Sequence, residues 1–272
     1  SNLRARNEAG GYNLVEITDG TITFSERVTG RETKPAWHSL ALGPRDYTSD
    51  TNRYPRPDFS VNARYPEVRP RWTFNTGYTI ASSPAVWSNL AVVGDASGTI
   101  CALDLGTGDP VWKYRTRGAV FSTPVVAGDL VIATRGLRGA MLAVRPRPAG
   151  ELWQRDIVWT YSEGSPDACS PAVWNDLVFT ITDDGIARCF DATSGHLRWK
   201  ERLRGQYKAS PVAAEGRVFF LNIDGLCTVV SAAPRFDKLA ENALDDTTVA
   251  SPALSDGLIL IRGYKALYGI SK

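Results

Sequence analysis

Few of the residues that usually carry chemistry stand at spacings that would let them work together. The chain has two histidines, His38 and His196, and neither belongs to an H-x-H or H-x-x-x-H pair of the kind that seats a metal ion. A serine nucleophile needs a histidine base and a carboxylate to orient it, and no G-x-S-x-G elbow occurs. No glycine-rich loop opens onto a helix to cradle phosphate groups. The four cysteines, Cys101, Cys169, Cys189 and Cys227, include no adjacent pair and no C-x-x-C. They stand where a small apolar residue would serve and read as buried thiols, with a disulfide or zinc site as the alternative. No catalytic residue, metal ligand or cofactor is therefore expected.

Binding chemistry is better represented. Tyr78, Arg117, Phe121, Arg135, Asp183, Tyr207, Lys208, Asp224 and Tyr264, with Arg138, Asp184 and Asp245, fall in polar segments between short apolar runs. Aromatic rings beside both signs of charge make a plausible mouth for a protein or polymer ligand. A carbohydrate-active reading would use Asp183 and Asp224, close in register, as acid and base. Trp87 and Trp174 occupy equivalent positions in another set of turns. They suit either a sugar or protein contact or packing against the N-terminal linker. A net charge of +2 is too small to make nucleic acid or an anionic membrane the main partner. No run of apolar residues is long enough to span a bilayer, and no signal peptide is evident.

The elements that must position these residues are announced by a repeated phrase of a hydroxyl residue, proline and two small or branched apolar residues. It occurs at Ser83-Pro84, Thr123-Pro124, Ser170-Pro171, Ser210-Pro211 and Ser251-Pro252, at steps of 40, 47, 40 and 41 residues. Such a period marks a supersecondary unit that must stack on copies of itself. In each repeat a turn pair (Ser88-Asn89, Gly128-Asp129, Asn175-Asp176, Glu215-Gly216, Asp256-Gly257) precedes a strand apolar on consecutive positions, hence covered on both faces. A third strand follows. In two repeats it ends in Asp104 to Gly108 or Asp191 to Gly195, with Trp112 or Trp199 four residues on. Trp159 plays that part after a longer insert, 145–155, and Leu239 is expected to stand in for it in the fourth repeat.

This predicts an all-β fold: a β-propeller of five four-stranded blades over 70–272. The fifth repeat stops after its third strand, and the strand near Trp72 is expected to complete it and close the ring. The loop-bearing rim then gathers the candidate binding residues. Residues 1–30 contain a β-hairpin around Thr18-Asp19-Gly20. Residues 31–69, rich in proline and arginine, read as an extended linker.

The stretches Gly98 to Trp112 and Gly185 to Trp199 resemble the pyrroloquinoline-quinone-type repeat, roughly Gly-x-Leu-Tyr-Ala-Leu-Asp-x-x-Thr-Gly-x-x-x-Trp. The tail from Leu239 to Ile270 is similar to the closing blades of exported bacterial propellers of the outer-membrane-assembly type. The resemblance implies that Trp72, Trp112, Trp159 and Trp199 dock neighbouring blades. It also implies a periplasmic or cell-envelope location and a cofactor-free binding scaffold. Quinone-dependent members carry a vicinal disulfide and more blades, and this chain has no adjacent cysteines. Ser1 to Arg6 with Gly10 to Ile17 resembles the last strands of a calcineurin-like metallophosphoesterase. That implies an alternative: an accessory propeller fused to an upstream metal-dependent hydrolase domain.

Overall fold

The computed structural model describes residues 11–43, 60, 64–136 and 139–271. The chain divides into two compact units, Ser1–Arg69 and Pro70–Lys272.

In the first unit, β1 (Gly11–Thr18) and β2 (Thr21–Val28) form the expected hairpin. Its turn places Asp19 and Gly20 at φ 50° and 71°, the left-handed pair that suits the twist of two-residue hairpins. A third strand, β3 (His38–Ala41), pairs with β2 inside the segment expected to be a plain linker. An open strand edge carries unpaired N–H and C=O groups, and His38–Ala41 satisfies that of β2, with Phe24, Trp37 and His38 in ring contact. Residues 1–10, which carry part of the phosphoesterase resemblance, lie outside the described residues.

Among its described residues the second unit is a run of five sheets, one per repeat, antiparallel apart from one added strand. The first holds β4 (Ala85–Trp87), β5 (Leu90–Gly94), β6 (Thr99–Asp104) and β7 (Pro110–Arg115). The second holds β8 (Val125–Ala127), β9 (Leu130–Thr134), β10 (Met141–Val144) and β12 (Ile157–Tyr161). The extra strand β11 (Gly150–Leu152) lies in the insert of the second repeat but pairs in parallel with β7 of the first sheet. The third is β13 (Ala172–Trp174), β14 (Leu177–Ile181), β15 (Ile186–Asp191) and β16 (Leu197–Arg202). The fourth is β17 (Val212–Ala214), β18 (Arg217–Leu221), β19 (Leu226–Ser231) and β20 (Lys238–Ala243). The fifth has three strands, β21 (Ala253–Ser255), β22 (Leu258–Arg262) and β23 (Leu267–Ile270). Every β-turn between first and second strands puts its first residue at positive φ: Ser88, Gly128, Asn175, Glu215 and Asp256.

Apolar side chains fill the seams between consecutive sheets. Val92, Ile100 and Trp112 meet Val131, Leu142 and Val144. Ile132, Met141 and Trp159 meet Val178 and Phe190. Phe179, Cys189 and Trp199 meet Val218, Phe220 and Val230, and Leu221 and Val229 meet Ile259 and Ile261. This is the radial stacking of a β-propeller. The four cysteines are all free and buried, and burial first of all pushes the Cys169 and Cys189 thiols up to about 12.

The hydroxyl–proline phrase has a specific job. The backbone N–H of Ser83 donates to Thr123 Oγ1 (3.1 Å), that of Thr123 to Ser170 Oγ (2.9 Å), that of Ser170 to Ser210 Oγ (2.9 Å), and that of Ser210 to Ser251 Oγ (2.9 Å). Each hydroxyl after that of Ser83 thus ties its own repeat to the one before it.

Two expectations are corrected. The segment near Trp72 forms no strand, and the fifth sheet keeps three strands, with Leu267 71% exposed. Trp72 and Phe74 instead pack on Val93, Cys101 and Leu103 of the first sheet, which anchors the segment there. Leu239 does not replace a docking tryptophan, being 49% exposed. Ala102↔Trp112, Ala143↔Trp159 and Cys189↔Trp199 are equivalent pairs, each just before a bulge, and the fourth sheet pairs Val229↔Ala240 there. Ala240 therefore holds the tryptophan position, and a groove of about 630 Å³ lined by Phe219, Val229, Leu254 and Ile259 lies between the fourth and fifth sheets.

Candidate functional site

The tryptophans show how neighbouring sheets are latched. The indole N–H of Trp72 donates to Leu105 O (2.9 Å), that of Trp159 to Ala192 O (2.8 Å) and that of Trp199 to Ala233 O (3.0 Å). The acceptors lie in the turn after the third strand of the neighbouring sheet. At Gly108 (φ +79°) and Gly195 (φ +70°) a Cβ would come within 2.5 Å of the Trp72 and Trp159 rings, so only glycine fits. The preceding aspartates shape these turns. Asp104 Oδ1 accepts the N–H groups of Gly106 (2.8 Å) and Thr107 (2.9 Å). Asp191 accepts from Ser194 N–H and from Arg198, the latter at 2.6 Å. Arg198 first, then Ser194, pull the Asp191 carboxyl down to about 2. Trp112 differs: it is buried, and its Nε1 has no hydrogen-bond partner among the described residues. The insert that carries β11 takes the place of the turn that would offer the carbonyl.

The opposite rim, built from the loops between sheets and the turns between second and third strands, is pinned by backbone hydrogen bonds. Ala96 N–H donates to Thr79 O, Gly136 to Ala119, Ile223 to Gln206 and Tyr264 to Thr247. Asp246, buried, accepts from Lys265 N–H (2.9 Å) and Tyr268 Oη (3.1 Å). Burial works to raise this carboxyl, but those donors, led by Lys265, hold it below its ordinary value. The neighbouring Asp245, not Asp246, was the residue singled out from sequence.

On this frame Tyr78 and Tyr264 are 60% and 82% exposed, and Arg117, Lys208 and Asp224 are exposed. Phe121, Arg135 and Asp183 are half-buried. Asp183 and Lys208 meet in an ion pair, which raises the lysine above its usual range. Tyr207 leaves the rim set: its ring is fully buried against the third and fourth sheets, its Oη donates to Arg204 O (3.1 Å), and burial pushes it up to about 12. Arg138 lies outside the described residues. Trp87 and Trp174, read from sequence as either a gripping pair or packed on the N-terminal linker, are each half-buried against the core of the seam beside them.

Arg117 and Arg135 come together. Both line a cleft of about 540 Å³ between the first and second sheets, which also takes in Arg115 and the insert residue Trp153. Neither Arg115 nor Trp153 was read from sequence. Arg188 was missed too. It is buried on β15, its Nη2 donates to Glu163 O (3.3 Å), and its guanidinium lies 5.7 Å from the Tyr161 ring. Its Nε and Nη1 find no partner among the described residues, beside a cavity of about 130 Å³ lined by Glu163 and Asp183. Among the described residues no three His, Cys, Asp or Glu side chains converge as a metal site would require.

A family model described as outer membrane protein assembly factor BamB (PQQ_2) matches residues 60–156 and 137–240. The chain is 25% identical over 146 residues to outer membrane protein assembly factor BamB of Burkholderia pseudomallei (strain K96243), covering 50% of this chain and 38% of that protein. It is 24% identical over 192 residues to the BamB of Alkalilimnicola ehrlichii, covering 66% of this chain and 48% of that one. The crystal structure of BamB from Moraxella catarrhalis aligns over 71% of this chain and 83% of that one, at 13% identity and a TM-score of 0.33. The chain spans less than half the length of the curated relatives it matches. With five stacked sheets and the family model spanning well over half of its residues, the chain belongs to the PQQ_2 family of BamB-type propellers.

Proposed function

We infer that this propeller is a non-catalytic scaffold of the bacterial cell envelope that docks protein partners on its loop-bearing rim during outer-membrane protein assembly. The observation that carries the reading is the rim itself. Its loops are pinned by hydrogen bonds from sheet to sheet, yet they present exposed tyrosines beside arginine, lysine and aspartate side chains. A rigid frame with aromatic and mixed-charge loops suits a protein surface. The carboxylates Asp104, Asp191 and Asp246 are spent on backbone N–H groups, a structural rather than catalytic use. The relatives are named outer membrane protein assembly factors, which supports both the partner class and the compartment. Among the described residues no helix is long and apolar enough to cross a membrane.

The test is complementation. A bacterium deleted for its own BamB relative and supplied with this chain behind an export signal is expected to regain outer-membrane protein levels, read by quantitative immunoblot of the outer-membrane fraction. A folded, exported chain that leaves those levels unchanged overturns the reading.

A further inference from the structure

The seam between the first and second sheets is built differently from the others. β11 leaves the second repeat, pairs along the edge of β7, and its Glu151 and Leu152 line the cleft there. Arg115 at the end of β7, Arg117 just beyond it, Arg135 and Trp153 all line it, Trp153 being 56% exposed. Arg135 Nε is shut away from solvent and hydrogen-bonded to no protein atom among the described residues. A buried guanidinium N–H without an acceptor is costly. Neither Arg115 nor Arg117 has an ion-pair partner among the described residues. Glu151, the one carboxylate in the described lining, faces Lys113 at 3.9 Å.

Three arginines around one cleft call for an anion, and guanidinium geometry favours carboxylates held by two parallel hydrogen bonds. Two further features select a peptide over a free ion. β11 is the edge of its sheet, so its outer N–H and C=O groups are open to an extended chain. The indole of Trp153 offers an apolar face that a small anion cannot use. We propose that this cleft binds an acidic, extended segment of a partner protein, with carboxylates on Arg135 and Arg115 and an apolar side chain against Trp153. The proposal rests on the reading of the rim as a protein-docking surface and names the chemistry of what docks there.

The experiment is a fluorescence-anisotropy titration of the full chain with a labelled peptide of alternating Glu and Phe, at low salt. Saturable binding is expected, lost when Gln replaces Glu in the peptide and weakened as salt rises. Arg135→Gln should weaken it about tenfold or more, the effect of losing a charge-assisted hydrogen bond. Arg115→Glu, at an exposed site where folding is not at stake, should weaken it comparably, and Trp153→Ala should weaken it several-fold. Thermal melts identify any variant that fails to fold. No binding, or binding unchanged in both arginine variants, overturns the proposal. So does full displacement by millimolar inorganic phosphate, which assigns the cleft to small anions. Complementation that succeeds while the peptide fails to bind removes the cleft assignment alone. Peptide binding without complementation removes the assembly role and leaves the cleft.

Discussion

The seams on either side of the second sheet solve the same packing problem in two ways. Between the second and third sheets Trp159 lies against Gly195 and hands its indole N–H to Ala192 O. Between the first and second, Trp112 fills the same place but its N–H finds no acceptor among the described residues, and a borrowed strand, β11, holds the edge instead. The latched seam spends its indole N–H internally, although Arg188 beside Tyr161 keeps Nε and Nη1 without partners among the described residues. The stapled seam leaves a cleft lined by Arg115, Arg117 and Arg135, with no ion-pair partner for Arg115 or Arg117 among the described residues. On the proposal made above, binding arises where the repeat departs from its own rule. The last seam departs in a third way, with Ala240 in the tryptophan position and an apolar groove beside it.

The comparison can be broken at its strongest point first. Trp159→Ala should lower stability by about 3–5 kcal/mol, the range for emptying a buried aromatic site, measured by denaturant unfolding. A loss under ~1 kcal/mol would mean that the latch does not hold the seam. Ser210→Ala comes next. It deprives the Ser170 N–H of its acceptor and should cost about 1–3 kcal/mol. A neutral result would reduce the hydroxyl relay to a by-product of packing.

Phenylalanine sharpens the contrast between seams. Trp159→Phe removes a made hydrogen bond, whereas Trp112→Phe removes an unmade one, so the first should be worse by about 1 kcal/mol. Equal losses would mean that the two tryptophans are equivalent. The smallest effect is electrostatic. The folded Asp191 carboxyl sits near 2, below the ordinary ~3.9 of an unfolded chain. Its contribution is thus full above about pH 4 and fades as pH falls through about 2. The group is close to solvent, so Asp191→Asn should flatten the acid limb of the stability profile by no more than a few tenths of a kcal/mol. An unaltered limb would remove Arg198 and Ser194 as the reason for the shift.

What was legible in the sequence was what is local and periodic. The hydroxyl–proline phrase, the positive-φ turn pairs and the Asp-to-Gly turns before Trp112 and Trp199 all act within a few residues or at a fixed step, and the sheets follow them closely. The misses have physical causes. β11 is three residues long and pairs in parallel with a strand in another repeat, which no local pattern announces. Tyr207 sits among polar loop residues, yet the third and fourth sheets close over its ring. Leu239 was expected in the tryptophan position, but a bulge sets the register and puts Ala240 there. The rim was placed by topology. The pairing of Arg117 with Arg135 across a cleft depends on an insert whose path composition does not encode.

The hydroxyl relay makes no reference to how many repeats there are. Each joint takes one N–H from one repeat and one Oγ from the next, and it forms whether the intervening chain is 40, 41 or 47 residues long. Such joints are interchangeable. A gene that duplicates or deletes one whole repeat brings with it both halves of the coupling it needs, and no new side chain has to arise at the axis. Blade number becomes something that recombination can edit in single steps, while the irregular insert that makes one seam different travels with its own repeat.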